Sequence, residues 1–252
     1  MKSIFKILSI KISRVIYLML RVIYYLIPIE FRTKIQLKLQ SKLKSKLQSK
    51  LEDNLVNETL IHFNKYFRNS LLFDDKWKIR EHAIKTSLLN DKNEEYYYLE
   101  FGVFEGTTAN YFSKLVKKLY CFDSFEGLKE DWVGTSDPKN AFNLNKKVPK
   151  LNANVEPIVG WVEDTLEIFL KKHNPKINFV HLDMDIYSAT KFTLERLKPY
   201  LVKNAVILFD ELYNYDGWES GEYKALKEIL NENEFEYKSF NLLGCQSMIR
   251  LK

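Results

Sequence analysis

The chain has 252 residues, with 39 lysines and arginines, 33 acidic residues and a net charge of +6. That length suffices for one full-size core with an appendage. Residues 1–51 hold twelve lysines and arginines against a single acid, Glu30, a net of +11, whereas residues 52–252 carry a net of −5. The positive charge therefore belongs to an N-terminal arm, and the acidic remainder does not favour nucleic-acid binding.

Glycine and cysteine usage divides the chain and indicates its compartment. All eight glycines lie at or beyond Gly102, which predicts helical material before that point. We therefore divide the chain into a basic amphipathic helical arm (1–56), a helical lead-in (57–95) and an α/β domain (96–252). Cys121 and Cys245 both fall in predicted strands, which fits neither a disulfide framework nor a metal–thiolate site and favours the cytoplasm.

The arm is strongly apolar from residue 4 to residue 27, but cations interrupt it at Lys6, Lys11, Arg14 and Arg21. Its charge-free stretches are much shorter than the ~20 residues that span a bilayer. A basic, amphipathic helix of this kind can lie on an anionic membrane surface. We expect a peripheral location on the inner face of the membrane. A helical cap over the sheet, or a contact in a homo-oligomer, remains the alternative.

The stretch Leu99–Ala109 is the most informative part of the domain. An aromatic and apolar run, Tyr96–Leu99, predicts a buried strand that leads into a glycine turn. Gly102 and Gly106 allow the backbone to turn tightly and approach a ligand. Thr107 or Thr108 can cap the helix that follows, at the sheet edge where open α/β folds bind cofactors.

A second predicted strand, Leu119–Phe122, ends in Asp123, which is placed to accept hydrogen bonds from ribose hydroxyls. The turn lacks the middle glycine with which dinucleotide folds approach a pyrophosphate. Glu100 and Glu105 would repel phosphate, but they favour a sulfonium or an ammonium group. These residues therefore predict S-adenosylmethionine rather than NAD as the nucleoside cofactor.

A third strand is predicted at Val155–Val159, followed by a helix to about Lys172. The loop between them would lie beside an adenine ring. Trp161 can stack on that ring and Glu163 can meet its exocyclic amine. Core packing is an equally good explanation of Trp161.

Carboxylates follow the next two predicted strands, Ile177–Asp185 and Ala205–Phe209. Parallel neighbours would bring Asp183, Asp210 and Glu211 to the same edge of the sheet, where they repel one another unless a cation or a proton intervenes. All-oxygen ligands suit Mg²⁺ or a similar hard ion. The alternative is that the acid pair caps a helix while Asp183 faces solvent.

The last segments predict a helix at Glu219–Leu230 and strands at Phe235–Phe240 and Gln246–Leu251, the two strands forming a hairpin. The domain is therefore predicted to contain a Rossmann-like sheet of seven strands. Residues 129–152 form a long polar insertion between the second and third strands. Insertions of this length are commonly lids, so we expect it to contact the substrate.

Residues 90–252, approximately, resemble class I S-adenosylmethionine-dependent methyltransferases, and among them the metal-dependent O-methyltransferases of the macrocin (macrolide-sugar) type. The motifs that carry the resemblance are Leu99–Ala109, Phe122–Leu128, His181–Ser188 and Phe209–Glu211. The resemblance implies that Glu100, Gly102 and Gly106 hold the methionine part. It also implies that Asp123 holds the ribose and that Asp183, Asp210 and Glu211 hold the metal. Glu211 stands where the family typically has aspartate.

The residues expected to bind the cofactor are Glu100, Gly102, Gly106, Thr107, Asp123, Ser124, Trp161, Glu163 and Asp183. The predicted activity is metal-assisted methyl transfer to a hydroxyl of a sugar or glycan-like acceptor, with Asp183 or Asp185 taking the proton. The catalytic lysine of catechol O-methyltransferase corresponds to Ile186, so a lysine base is unsupported. Three alternatives remain: a catalytically silent, membrane-associated partner protein, a nicotinamide-dependent oxidoreductase, and a metal-independent methyltransferase.

Overall fold

The structure is a computed structural model that describes residues 58–93 and 95–252. The predictions made for the arm, 1–56, lie outside the described residues, as do the first residue of the lead-in and residue 94. Among the helices that are described, none combines the length and the apolar character needed to cross a membrane.

One sheet of eight strands forms the centre of the described residues. The strands are β1 (Leu71–Phe73), β2 (Tyr97–Phe101), β3 (Leu119–Asp123), β4 (Val155–Val159), β5 (Ile177–Leu182), β6 (Leu201–Phe209), β7 (Phe235–Asn241) and β8 (Ser247–Leu251). Their order across the sheet is β1-β7-β8-β6-β5-β2-β3-β4. All neighbours are parallel except β8, which runs antiparallel to both β6 and β7.

Helices connect the strands and cover both faces of the sheet. They are α1 (58–67), α2 (Lys76–Leu88), α3 (Thr107–Phe112), α4 (Val162–His173), α5 (Tyr187–Leu197) and α6 (Glu222–Ile229). Asp75 caps α2, since its side chain accepts hydrogen bonds from the backbone N–H groups of Trp77 and Lys78. This cap fixes the start of α2, which contributes one residue to the candidate active site.

Side chains alternate along the central strands, so the sheet has two apolar faces. On one face, Tyr98, Phe179 and Leu208 pack against α2 and α3. On the other face, Leu99, Leu182 and Phe209 pack under α1, α4, α5 and α6. Burial on both faces explains why these strands are nearly continuous apolar runs in the sequence.

The predicted α/β fold is confirmed, and the predicted and observed elements differ in four local respects. The sheet has eight strands rather than seven because three residues of the lead-in, β1, pair with β7. The lead-in is therefore not wholly helical. The predicted helix from Glu219 is interrupted at Gly221, so that a 3₁₀ turn, Trp218–Ser220, precedes α6. β5 ends at Leu182, which leaves Asp183 and Asp185 in the loop after it.

Candidate active site

A cavity of about 340 Å³ opens at the carboxyl ends of β2, β3, β4, β5 and β6. This is the edge at which open α/β sheets bind ligands. The insertion between β3 and β4 supplies part of its wall, through Lys129, Trp132 and Phe142. The cavity therefore brings together groups that are widely separated in the sequence.

The glycine turn after β2 forms one wall and leaves no room for a side chain. Gly102 has φ of +85°, and a Cβ built there would lie 1.6 Å from the backbone oxygen of Asp183. Asp183 is tied to the same strand, because its N–H donates to the carbonyl of Phe101 at 2.9 Å. The turn and the loop after β5 are thus in direct backbone contact, which only glycine permits.

Asp123 lines the cavity and also holds this turn in place. Its Oδ2 accepts hydrogen bonds from the N–H groups of Val103 and Phe104, at 2.7 and 2.9 Å, and its Oδ1 accepts one from the N–H of Phe125 at 2.6 Å. Each carboxylate oxygen has two acceptor sites. Oδ1 therefore retains capacity for one further donor, such as a ribose hydroxyl.

The residues that follow β4 contact the insertion through the charged side chain of Lys129. The Nζ of Lys129 lies 4.6 Å from the ring centroid of Trp161 and 2.7 Å from Oε2 of Glu163. Trp161 and Glu163 both line the cavity, as the sequence predicted for an adenine subsite. Thr107 and Ser124 line it as well, although the Ser124 hydroxyl already accepts a bond from the N–H of Glu126.

Three carboxylates meet in the wall of the cavity. Oxygens of Asp183, Asp185 and Glu211 lie within 4.8 Å of one another. Oε2 of Glu211 is buried and has no hydrogen-bond partner among the described residues. Burial and the neighbouring Asp210 raise the pKa of Glu211, and burial with three nearby aspartates raises that of Asp185 to about 7. The cluster is therefore short of positive charge.

Asp210 occupies a different position from the one expected of a metal ligand. Its Oδ1 accepts bonds from Nε and Nη2 of Arg80, at 3.0 and 2.6 Å, and lies 3.2 Å from Nε2 of His181. Its Oδ2 accepts bonds from Nη2 of Arg80 and from Nε2 of Gln246. These donors occupy its lone pairs, so Asp210 does not present a free oxygen to a cation.

Glu100 also departs from its expected position. Its side chain is fully buried on the α2–α3 face of the sheet and is not part of the cavity wall. Oε1 lies 3.2 Å from Nδ1 of His181, and Oε2 accepts a contact from the Cys121 thiol. Glu100 therefore acts on the site through a buried row of side chains rather than by contact with a ligand. Gly106 likewise shapes the turn but does not line the cavity. Gly106 is also the N-cap of α3, which has no side-chain cap, so the predicted threonine cap is wrong.

His181 lies at the centre of that row. Burial lowers its pKa, but the carboxylates of Asp210 and Glu100 on either side raise it to about 10. Both ring nitrogens therefore act as donors, and His181 is a buried cation. The same arrangement holds the pKa of Asp210 below its ordinary value, against the effect of burial.

Sequence reasoning missed two charged residues of the site, Arg80 and Glu222. Arg80 comes from α2, outside every motif, yet it lines the cavity and forms a buried ion pair with Asp210. Glu222, at the start of α6, is fully buried, and its Oε2 accepts the N–H of Glu211 at 3.0 Å. Both residues lie on predicted helices, where charged side chains usually face solvent. Their positions in the sequence therefore gave no indication that they belong to the site.

Trp132, from the insertion, lines the cavity and packs against Tyr215, from the loop after β6. The two rings are 5.7 Å apart in an edge-to-face arrangement. Trp132 Nε1 and the Tyr215 hydroxyl are buried and have no hydrogen-bond partner among the described residues. Trp132 therefore contributes its aromatic surface to the cavity, whereas its N–H is enclosed.

Comparisons with known proteins agree with this geometry. Residues 99–212 match the family model described as a methyltransferase domain. The structure of CalS11, a calicheamicin methyltransferase, has a TM-score of 0.57 and 18% identity, over 82% of this chain and 92% of that chain. An apo structure of CalS11, described as a TDP-rhamnose 3'-O-methyltransferase, gives 0.51 and 19%, over 84% and 94%.

The structure of the O-methyltransferase NovP gives a TM-score of 0.50 and 15% identity, over 69% of this chain and 78% of that chain. No curated protein matches the sequence. The TM-scores establish a shared fold, and the match to the methyltransferase domain spans the glycine turn, Asp123, Asp183 and the acid pair after β6. Residues 99–212 therefore form a methyltransferase domain, within a fold that the chain shares with the methyltransferases CalS11 and NovP.

Proposed function

We propose that this methyltransferase transfers the methyl group of S-adenosylmethionine to a hydroxyl of a sugar or glycan-like acceptor, with the help of a divalent cation. The observation that carries the proposal is the meeting of Asp183, Asp185 and Glu211 in the wall of the cofactor cavity. A carboxylate cluster that holds a divalent cation suits an acceptor with neighbouring hydroxyls.

The residues present fit a hard divalent cation. Asp183, Asp185 and Glu211 offer oxygens within 4.8 Å of one another, and Oε2 of Glu211 has no partner among the described residues. A second group at similar spacing, His181 with Asp183 and Asp210, does not fit. Both nitrogens of His181 already face carboxylates, and Asp210 is held by Arg80. The proposed ligand set thus replaces Asp210 with Asp185.

A divalent cation bound there would lower the pKa of an acceptor hydroxyl and grip a neighbouring oxygen. The remaining oxygens of Asp183 or Asp185 can accept the proton of that hydroxyl, since neither carboxylate accepts a hydrogen bond from the described residues. The contact of Gly102 with Asp183 fixes the distance between the cofactor turn and these carboxylates. Positioning of this kind is a large part of what methyl transfer requires.

The aromatic part of the cavity wall supports a sugar acceptor. Trp132 supplies an aromatic surface to the cavity. A sugar has apolar C–H faces that can pack against such a surface. The similarity to CalS11, a TDP-rhamnose 3'-O-methyltransferase, supports the same acceptor class, as does the resemblance to macrocin-type enzymes.

The test is methyl transfer from isotopically labelled S-adenosylmethionine to a panel of acceptors, with the products identified by mass spectrometry. The panel contains free sugars, nucleotide-linked sugars, catechols and simple amines, each assayed with Mg²⁺ and with a chelator. We expect an O-methyl sugar that forms only with the cation. Transfer to an amine or a catechol in preference to every sugar would contradict the proposal, and full turnover in the chelator would remove the cation from it.

Cofactor placement gives a separate prediction at Trp161. If the indole covers the adenine, Trp161→Ala should weaken S-adenosylmethionine binding by roughly 10-fold, because aromatic stacking on a base contributes about 1–3 kcal/mol. Calorimetry measures the dissociation constant. Trp161→Phe serves as the control, since it retains an aromatic face and should lose much less affinity. Equal losses in the two variants would place the adenine elsewhere.

A further inference from the structure

The carboxylate of Asp210 binds only part of the guanidinium group of Arg80. Nε and Nη2 donate to Asp210, and Nη1 has no hydrogen-bond partner among the described residues. Several unpaired polar atoms of the described residues are sealed from solvent, but Nη1 of Arg80 is not one of them. Because Arg80 lines the cavity, its Nη1 edge is accessible from within the cavity.

Packing fixes this guanidinium group close to the cofactor turn. Its Cζ lies 4.9 Å from the ring centroid of Trp77, which in turn packs against Tyr111 of α3 at 5.2 Å. α3 begins immediately after the glycine turn. The side chain is only 5% exposed, so its orientation is determined before any ligand binds.

Basic side chains are few among the residues that line the cavity. Asp183, Asp185 and Glu211 form an acidic cluster there, which disfavours the α-carboxylate of the cofactor unless a basic side chain binds it. Two basic side chains line the cavity within the described residues, Lys129 and Arg80. Lys129 lies beside Trp161 and is paired with Glu163. Arg80 is therefore the cation available where the amino-acid part of the cofactor would lie.

We propose that the Nη1 edge of Arg80 binds the α-carboxylate of S-adenosylmethionine, while its Nε–Nη2 edge remains on Asp210. One planar guanidinium would then join the cofactor to the buried row formed by Asp210, His181 and Glu100. The inference rests on the use of S-adenosylmethionine and is independent of the acceptor and of the cation. It assigns a cofactor-binding role to a residue on α2, before the part of the chain that matches the methyltransferase domain.

The test compares two ligands that differ in this carboxylate, S-adenosylmethionine and its decarboxylated form, S-adenosylmethioninamine. Calorimetry gives the ratio of their dissociation constants. In the unmodified protein we expect S-adenosylmethionine to bind at least ~10-fold more tightly, as a charge-assisted contact predicts. In Arg80→Gln this ratio should fall towards one, and Arg80→Lys should restore part of it.

Two further variants keep the test decisive if Arg80→Gln fails to fold, since that change leaves Asp210 buried with less compensation. Asp210→Asn keeps Arg80 and should preserve the discrimination, whereas the double variant Arg80→Gln/Asp210→Asn should lose it. Lys129→Gln removes the other basic side chain of the cavity and should leave the ratio unchanged.

An unchanged ratio in Arg80→Gln or in the double variant would overturn the inference. An equal loss of affinity for both ligands would give Arg80 a purely structural role and would overturn it too. If the unmodified protein does not bind S-adenosylmethionine at all, the proposal that S-adenosylmethionine is the cofactor is contradicted instead. The comparison of the two ligands distinguishes this outcome from a failure of the inference about Arg80.

Discussion

Glu211→Gln is expected to lower kcat by about 10²- to 10³-fold while the dissociation constant of S-adenosylmethionine changes little. The substitution preserves shape but removes a negative charge from the group that Glu211 forms with Asp183 and Asp185. Loss of one preorganised electrostatic contact at a reacting centre has effects of this size. Steady-state kinetics at saturating cofactor, with calorimetry for binding, separates the two quantities.

Glu130→Gln is the matched control for this variant. Glu130 belongs to the insertion, is exposed, does not line the cavity and accepts a hydrogen bond from Ser188. The same change in charge and shape should therefore leave kcat almost unaltered. A Glu211→Gln variant with the kcat of this control would show that Glu211 is not part of the reacting centre.

Gly102→Ala is expected to give a large structural effect from a single methyl group. A Cβ at this position would lie 1.6 Å from the Asp183 backbone oxygen, and φ is +85°. The turn and the loop after β5 must separate to admit it, at a cost of about 3 kcal/mol or more in the free energy of unfolding. Chemical denaturation measures this loss, and calorimetry should show that cofactor binding is lost with it.

Gly217→Ala isolates the steric part of that effect. Gly217 has a similar φ of +80°, but the nearest atom to a Cβ there, the Val133 oxygen, is 3.0 Å away. Backbone strain alone should cost only about 1 kcal/mol. If both variants lose the same stability, the close approach of Gly102 to Asp183 is not what the site depends on.

The sequence was sufficient to predict the central strands, because each is a short apolar run buried on both faces of the sheet. β4, although it is an edge strand, also coincides with its predicted bounds, Val155–Val159. β1 was missed because three residues at the sheet edge, with Leu71 and Leu72 exposed, carry no periodic pattern. Its place in the sheet depends on pairing with β7, far away in the sequence.

Positions at the ends of strands were predictable because parallel strands deliver their following residues to one edge. That argument brought Asp123, Asp183 and Glu211 to the cavity, where the structure has them. It could not distinguish a carboxylate whose oxygens are free from one whose oxygens are held by partners on other elements. Asp210 and Glu100 belong to the second kind, because Arg80 and His181 hold them.

Those partners explain why the ligand set proposed above differs from the one predicted from the sequence. Arg80 lies 130 residues before Asp210, and no spacing rule connects a helix in the lead-in with an acid after β6. Once that ion pair forms, Asp210 is neutralised, and the unpaired oxygens belong to Asp183, Asp185 and Glu211. Asp185 enters the cluster through a backbone conformation with φ of 64°, which a strand pattern does not predict.

The most direct test of the proposed cation site is a calorimetric titration of Mg²⁺ into the complex with S-adenosylhomocysteine. The unmodified protein should bind one ion per chain, and Glu211→Gln should weaken that binding by at least ~10-fold, because it loses a charged oxygen ligand. Asp210→Asn should weaken it much less. Absence of Mg²⁺ binding in a protein that methylates its acceptor at full rate in a chelator would contradict the site, and so would a larger loss in Asp210→Asn than in Glu211→Gln.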